Sequence, residues 1–231
     1  MIVSPVVPRI LTVISAAENT VIKSVEEGAV ETETSITDRF LGALDYAFGE
    51  GAVADGYVLT CRTLRDRGPN SPEREFGADL VSVFRTNISN FNIAKGFLAQ
   101  AKIAGKNEIK IEQDHTYYPK VLVNRPKNDY DNPTSLYSQC NQMLQFTPDS
   151  FVFIYSQYGI MVMPASSIVS LPTESRNNNI FALPLRLFMT NFFNSFIGDL
   201  KISAFDDETL RDVRSTFVAN SAMLLQVSQS N

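Results

Sequence analysis

The chain has 231 residues, 44% of them hydrophobic and 19% charged, enough to bury one sizeable core and short enough for a single domain. Its net charge of −5 argues against a general polyanion binder, because phosphate affinity draws on Lys and Arg. No apolar run reaches the roughly eighteen residues of a membrane span and the N-terminus lacks the order of a signal peptide, so a soluble cytoplasmic protein with no membrane partner is expected. Cys61 and Cys140 stand far apart, without Cys or His at ligand spacing, and read as reduced structural thiols.

From about Pro8 to Glu26 the apolar positions Ile10, Leu11, Ile14, Ala17, Val21, Ile22 and Val25 follow a helical period, with Gly28 placed as a C-cap. An acidic linker, Glu31-Thr32-Glu33, leads to a second helix capped by Thr34 or Ser35, with Asp38 in its first turn and Ile36, Phe40, Leu41 and Leu44 on one face. It ends before Gly49. Residues 49–72 mix Gly, Asp, Arg and Pro around Tyr57-Val-Leu-Thr60, which predicts a loop with one edge strand.

Two antiparallel strands are expected over Ala78 to Arg85 and Ile93 to Ile103, separated by the polar stretch 86–92. Alternation on the second puts Leu98, Gln100 and Lys102 on one face and Phe97, Ala99 and Ala101 on the other. The following stretch to Asn132 reads as a strand and loop holding His115, the only histidine. His115 has no second His or nucleophile near it and is read as a surface residue. Pro133 would open a helix carrying Leu136, Cys140, Met143 and Leu144. Residues 150–156 and 160–163 flank Gln157-Tyr158-Gly159 as a β-hairpin, and Pro164 starts a short helix. After the turn-rich stretch 171–180, helices are expected from Leu183 to Ile197 and from Asp206 to about Val227. Phe188, Phe192, Phe193 and Phe196 would then form a packing surface for the core or a subunit contact.

Hydrolysis of a phosphodiester needs a metal that polarises the phosphate and acidifies a water, together with groups that orient that water. Hard oxygen ligands suit Mg²⁺. Asp79 supplies charge, a backbone carbonyl and the Gln100 amide supply neutral oxygen, and Lys102 lies where it stabilises charge at the phosphate. Basic side chains between Arg85 and Lys127 outnumber acids, so local charge permits a phosphate-holding segment from Lys102 to Lys127. Tyr117, Tyr118 and Tyr130 are candidate base-stacking rings, with packing as the plainer role. Glu73 and Glu75 read as solvated loop acids. No Walker loop, GxSxG elbow, HExxH or GxGxxG occurs.

Asp79 after Gly77-Ala78, followed by Gln100-Ala101-Lys102 on the next strand, resembles the D…QxK variant of the PD-(D/E)xK motif. That pattern is found in Mrr-type members of the restriction-endonuclease-like nuclease superfamily. The later run with Gln139, Met143, SFVFIYS, Gly159 and Pro164-Ala165 is similar to small nuclease-like proteins of bacterial and prophage defence islands. The resemblance covers about Glu33 to Val169. It implies an α/β fold with a mixed sheet flanked by helices, and Mg²⁺-dependent DNA cleavage. It also implies a supporting acid on a preceding helix: Glu33, with Glu31 or Asp38 as substitutes. Metal ligands would then be Asp79, Gln100 and Glu33, with Lys102 as the fourth catalytic residue. Gln100 stands where an acid is commoner and no Pro precedes Asp79, which points to one Mg²⁺ rather than two.

The expected organisation is one nuclease-like domain over 1–231, divided into an N-terminal helix at 1–30, a nuclease core at 31–170 and a C-terminal helical extension at 171–231. A homodimer acting in DNA defence or restriction, with or without a regulatory partner protein, is the leading expectation. The alternative is a noncatalytic nuclease fold or phage assembly protein that associates through its C-terminal helices.

Overall fold

The computed structural model describes residues 6–29, 32–49, 51–54, 56–65, 78–88, 91–104, 109–111, 117–121, 135–171, 178–179 and 181–230. Two helices come first, α1 (Val6–Glu26) and α2 (Glu33–Phe48). The strands β1 (Ala52–Ala54), β2 (Tyr57–Arg65), β3 (Leu80–Ile88), β4 (Phe91–Ile103), β5 (Ile109–Ile111) and β6 (Tyr117–Val121) follow. Next come α3 (Leu136–Phe146), the hairpin β7 (Ser150–Ser156) and β8 (Gly159–Pro164), and α4 (Ala165–Val169). The chain closes with β9 (Asn178–Asn179), β10 (Leu183–Pro184), α5 (Leu185–Phe193), α6 (Asp207–Thr216) and β11 (Ser221–Gln229).

Local chemistry sets the helix ends. Gly28 adopts φ +65, and the bonds Gly28 N to Val25 O and Ala29 N to Ser24 O close α1 as the sequence predicts. The second helix starts earlier than expected. Thr32, not Thr34 or Ser35, is its N-cap, with Oγ1 accepting the Ser35 N–H at 3.2 Å. Glu33 therefore leaves the linker and becomes the first helical residue, where the helix dipole favours an acid. The third helix is capped by Ser135, whose Oγ accepts the Ser138 N–H, so it begins after the region of Pro133 rather than at it. Helix α5 is shorter than the expected 183–197, because Pro184 sets its start and Ser195 at φ 65 takes the chain out of helical geometry.

The largest departure is at the C-terminus. The expected helix from Asp206 to Val227 ends at Thr216, and Ser221–Gln229 form a strand instead. That strand lies inside an eight-stranded mixed sheet of order β1-β2-β11-β3-β4-β7-β8-β10. It runs parallel to β3 and antiparallel to β2, and β4 runs parallel to β7. A strand buried on both faces reads as a continuous apolar run, which periodicity alone does not separate from a buried helix. The loop expected over 49–72 likewise contains β2, which is nine residues long and lies inside the sheet, not at its edge. The hairpins β3–β4 and β7–β8 form where expected, although β3 and β4 stay paired as far as Ile88 and Phe91, within the stretch 86–92 expected to separate them. Strands β5, β6 and β9 form a separate small sheet.

Helices cover both faces of the large sheet. On one side α1, α2 and α5 bury Ile10, Ile14, Ile36, Leu41 and Phe188 against Phe84, Phe97 and Phe153. On the other, α3, α4 and α6 bury Cys140, Met143, Ile168 and Leu210 against Val81, Leu98, Ile154 and Leu224. Phe188, Phe192 and Phe193 belong to this chain's own core, with Phe97 edge-on to Phe188 at 5.2 Å and to Phe192 at 4.9 Å between centroids. Of the four Phe residues expected to pack in the core or at a subunit contact, three are buried in the core and Phe196 is exposed, at 74%. Both cysteines are buried and unpaired, and burial pushes each thiol up to about 12. Among the described residues no helix is long and apolar enough to cross a membrane.

Candidate active site

Asp79 immediately precedes β3, and its N–H donates to Ala99 O at 2.9 Å. The register Leu80↔Ala99 sets Asp79 across from Gln100, so both side chains leave the sheet on the face predicted for Leu98, Gln100 and Lys102. Gln100 Nε2 donates to Asp79 Oδ2, and the Ala101 N–H donates to the same oxygen at 2.8 Å. Asn220 Nδ2, from the residue before β11, donates to Oδ1 at 3.0 Å.

Two residues beyond Gln100, Lys102 Nζ lies 3.2 Å from each carboxylate oxygen of Glu33. Glu33 makes this contact from the first turn of α2, directly after the Thr32 cap. Asp38, one of the substitutes considered for this role, pairs instead with Arg65 at 3.5 Å. Glu31 lies outside the described residues, as do Glu73, Glu75, His115, Tyr130, Arg125 and Lys127. Within the basic stretch, Lys95 is not available to phosphate. It is buried in the core, donating to Phe192 O and, at 2.6 Å, to Ile197 O, and burial lowers it to about 8. Arg85 is also committed, to Phe205 O at 2.8 Å and to the face of the Phe205 ring.

Burial dominates the electrostatics of Asp79. Loss of solvent raises its carboxyl from an ordinary 3.8 to about 6, against the Ala101 N–H and Lys102, which lower it; Glu33 adds to the rise and Asn220 opposes it. Behind the carboxylate lies a recess lined by Thr37, Ala101, Phe153 and Tyr155. The Thr37 and Tyr155 hydroxyls meet there at 3.3 Å, and Thr37 Oγ1 also donates to Glu33 O at 2.9 Å. Burial pushes the Tyr155 phenol above its ordinary range, so it acts as a neutral hydrogen-bonding group.

The donors present are hard oxygens. Among the described residues no cluster of three or more His, Cys, Asp and Glu gathers, and the site offers two carboxylates and two amides. A carboxylate has about four acceptor positions, and three of those on Asp79 are filled, leaving one on Oδ1. Asp79, with that one position left, Glu33 and the Gln100 carbonyl oxygen make a hard-oxygen donor set of the kind that suits a divalent cation such as Mg²⁺.

Sequence reasoning put forward Asp79, Gln100, Lys102 and Glu33; in the structure Asp79 pairs with Gln100, and Lys102 with Glu33. It missed Asn220, which the reading of 206–227 as helix hid, and the Thr37–Tyr155 pair. Comparison with family models, with curated proteins and with solved structures finds no match for the chain.

Proposed function

We propose that this chain is a Mg²⁺-dependent endonuclease of restriction-endonuclease-like architecture that hydrolyses DNA phosphodiester bonds in bacterial or phage DNA defence. One observation carries the reading. An acid at the head of one strand and an amide and a lysine on its neighbour lie with an acid from the first turn of a helix, which supplies the charge and hard oxygens that metal-assisted phosphodiester hydrolysis uses.

Each residue has a separate task. Asp79 and Glu33 supply the negative charge that would hold Mg²⁺, with the Gln100 carbonyl oxygen as a neutral donor. Bound there, Mg²⁺ would polarise the phosphate and acidify the attacking water. Gln100 uses its amide N–H to hold Asp79 Oδ2, which fixes the carboxylate. Lys102 brings a positive charge to stabilise the extra negative charge that develops on the phosphate in the transition state. Its ion pair with Glu33 holds the ammonium at the site before substrate arrives.

A second reading has its own support. The same ion pair occupies Lys102, which is what a noncatalytic copy of the fold would retain as a structural contact. The two readings separate on one experiment. Supercoiled plasmid and single- and double-stranded oligonucleotides are incubated with the purified protein in Mg²⁺ and in EDTA. Cleavage of DNA should require Mg²⁺ and disappear in Asp79→Ala and in Lys102→Ala. Unchanged cleavage in both variants would overturn the site assignment, and absence of both cleavage and Mg²⁺ binding would favour the noncatalytic fold.

A further inference from the structure

We infer that Asn220 is a positioning residue of the Asp79 site, so that the C-terminal strand belongs to the cation-binding machinery as well as to the core. This rests on the cation-binding reading above. Strand β11 runs parallel to β3, and two backbone bonds lock their ends together, Ser221 N to Asp79 O at 2.9 Å and Asn220 N to Ala78 O at 3.3 Å. Asn220 is therefore held beside Asp79 by the sheet itself, and its side-chain amide reaches Oδ1 at 3.0 Å.

The two oxygens of Asp79 are held from opposite sides. Oδ2 takes two donors from β4, and Oδ1 takes one from the head of β11. A carboxylate gripped at one oxygen alone still turns about its own axis, whereas one gripped at both has a fixed plane. That plane fixes the direction of the one acceptor position left for a cation. The choice of an amide is also chemically specific. A Lys or Arg at position 220 would hold Oδ1 equally well but would neutralise the charge that attracts the cation. Asn donates a hydrogen bond and leaves the full negative charge in place.

The turn before β11 does not need this side chain. It is formed by backbone bonds, Val218 N to Ser215 O and Ala219 N to Arg214 O, with Val218 at φ 47. The amide is directed to the site.

The test measures Mg²⁺ binding by calorimetry on metal-free wild-type protein, Asn220→Ala and Asn220→Asp, with melting temperatures recorded in EDTA and in Mg²⁺. Asn220→Ala should bind Mg²⁺ about tenfold more weakly, the effect of losing one hydrogen bond to a charged group. Asn220→Asp sets a second carboxylate against Asp79, so it should melt below wild type in EDTA and gain more than wild type from Mg²⁺. Should Asn220→Ala fail to fold, the Asn220→Asp comparison decides alone. Wild-type Mg²⁺ affinity in Asn220→Ala, or a Mg²⁺-induced melting shift in Asn220→Asp no larger than wild type, overturns this inference and leaves the nuclease reading standing. An unaltered protein that binds no Mg²⁺ overturns both.

Discussion

Replacing Asp79 by asparagine should make the protein more stable at neutral pH and, under the proposed nuclease function, abolish cleavage. The carboxyl is raised from 3.8 to about 6, chiefly by burial, so the folded state holds the Asp79 proton more tightly than the unfolded chain does. A raised acid costs stability once the pH exceeds its folded value, and the cost vanishes below the unfolded value. The window is therefore from about 6 down to 3.8. A shift of this size corresponds to an upper limit of about 3 kcal/mol at neutral pH. The substituted side chain would carry no charge, although its NH₂ must find an acceptor among amides that now donate to Asp79. A gain of roughly 1–3 kcal/mol is expected after that rearrangement. Urea unfolding in EDTA of both proteins, at about pH 7.5 and at about pH 4, reads the difference directly. The gap between variant and wild type should be largest at the higher pH and close as the pH falls. The difference between the two proteins is the quantity to follow, because Glu18, also raised by burial, tilts both curves alike. A variant less stable than wild type at neutral pH, or a gap that does not narrow on acidification, would refute the assignment of a strained, buried carboxylate.

Three further outcomes test the scaffold. In Gly96→Ala the new methyl would fall on the buried Ile202 side chain and 2.5 Å from the carbonyl of Ser82 in β3, so a loss of about 3 kcal/mol or more is expected in chemical denaturation. Lys95→Met keeps the apolar stem but takes a donor from the Phe192 and Ile197 carbonyls, and should lower stability by about 1–3 kcal/mol in the same measurement. Deleting Ser221 to Asn231 removes a strand paired on both sides and should abolish cooperative unfolding; a truncated chain that melts like the full one would mean that β11 is dispensable.

What the sequence disclosed follows from the range over which each signal acts. The β3–β4 hairpin and the shared face of Gln100 and Lys102 depend on a single turn and on alternation, and both were legible; the register that sets Asp79 opposite Gln100 was not. Glu33 was read as lying just ahead of the second helix and is in fact its first residue, because the cap falls two or three positions earlier than expected. Thr32, Thr34 and Ser35 are all good caps, and which one serves is decided by where the helix must pack. The Phe-rich stretch at 188–193 was read as a core or contact surface because composition reports a need for burial without naming what meets it; the structure supplies Phe84, Phe97, Phe151 and Phe153.

Asn220 was out of reach for a different reason. Its role depends on β11 crossing back to insert between β2 and β3, and its hydrogen bond to Asp79 spans 141 residues of sequence. Nothing local in SAMLLQVSQ distinguishes a central strand from the last turns of an amphipathic helix. The four residues that were legible lie on α2 and the β3–β4 hairpin, with short-range signals of their own. Asn220 is supplied by the sheet, because only the parallel pairing of β11 with β3 sets it beside Asp79.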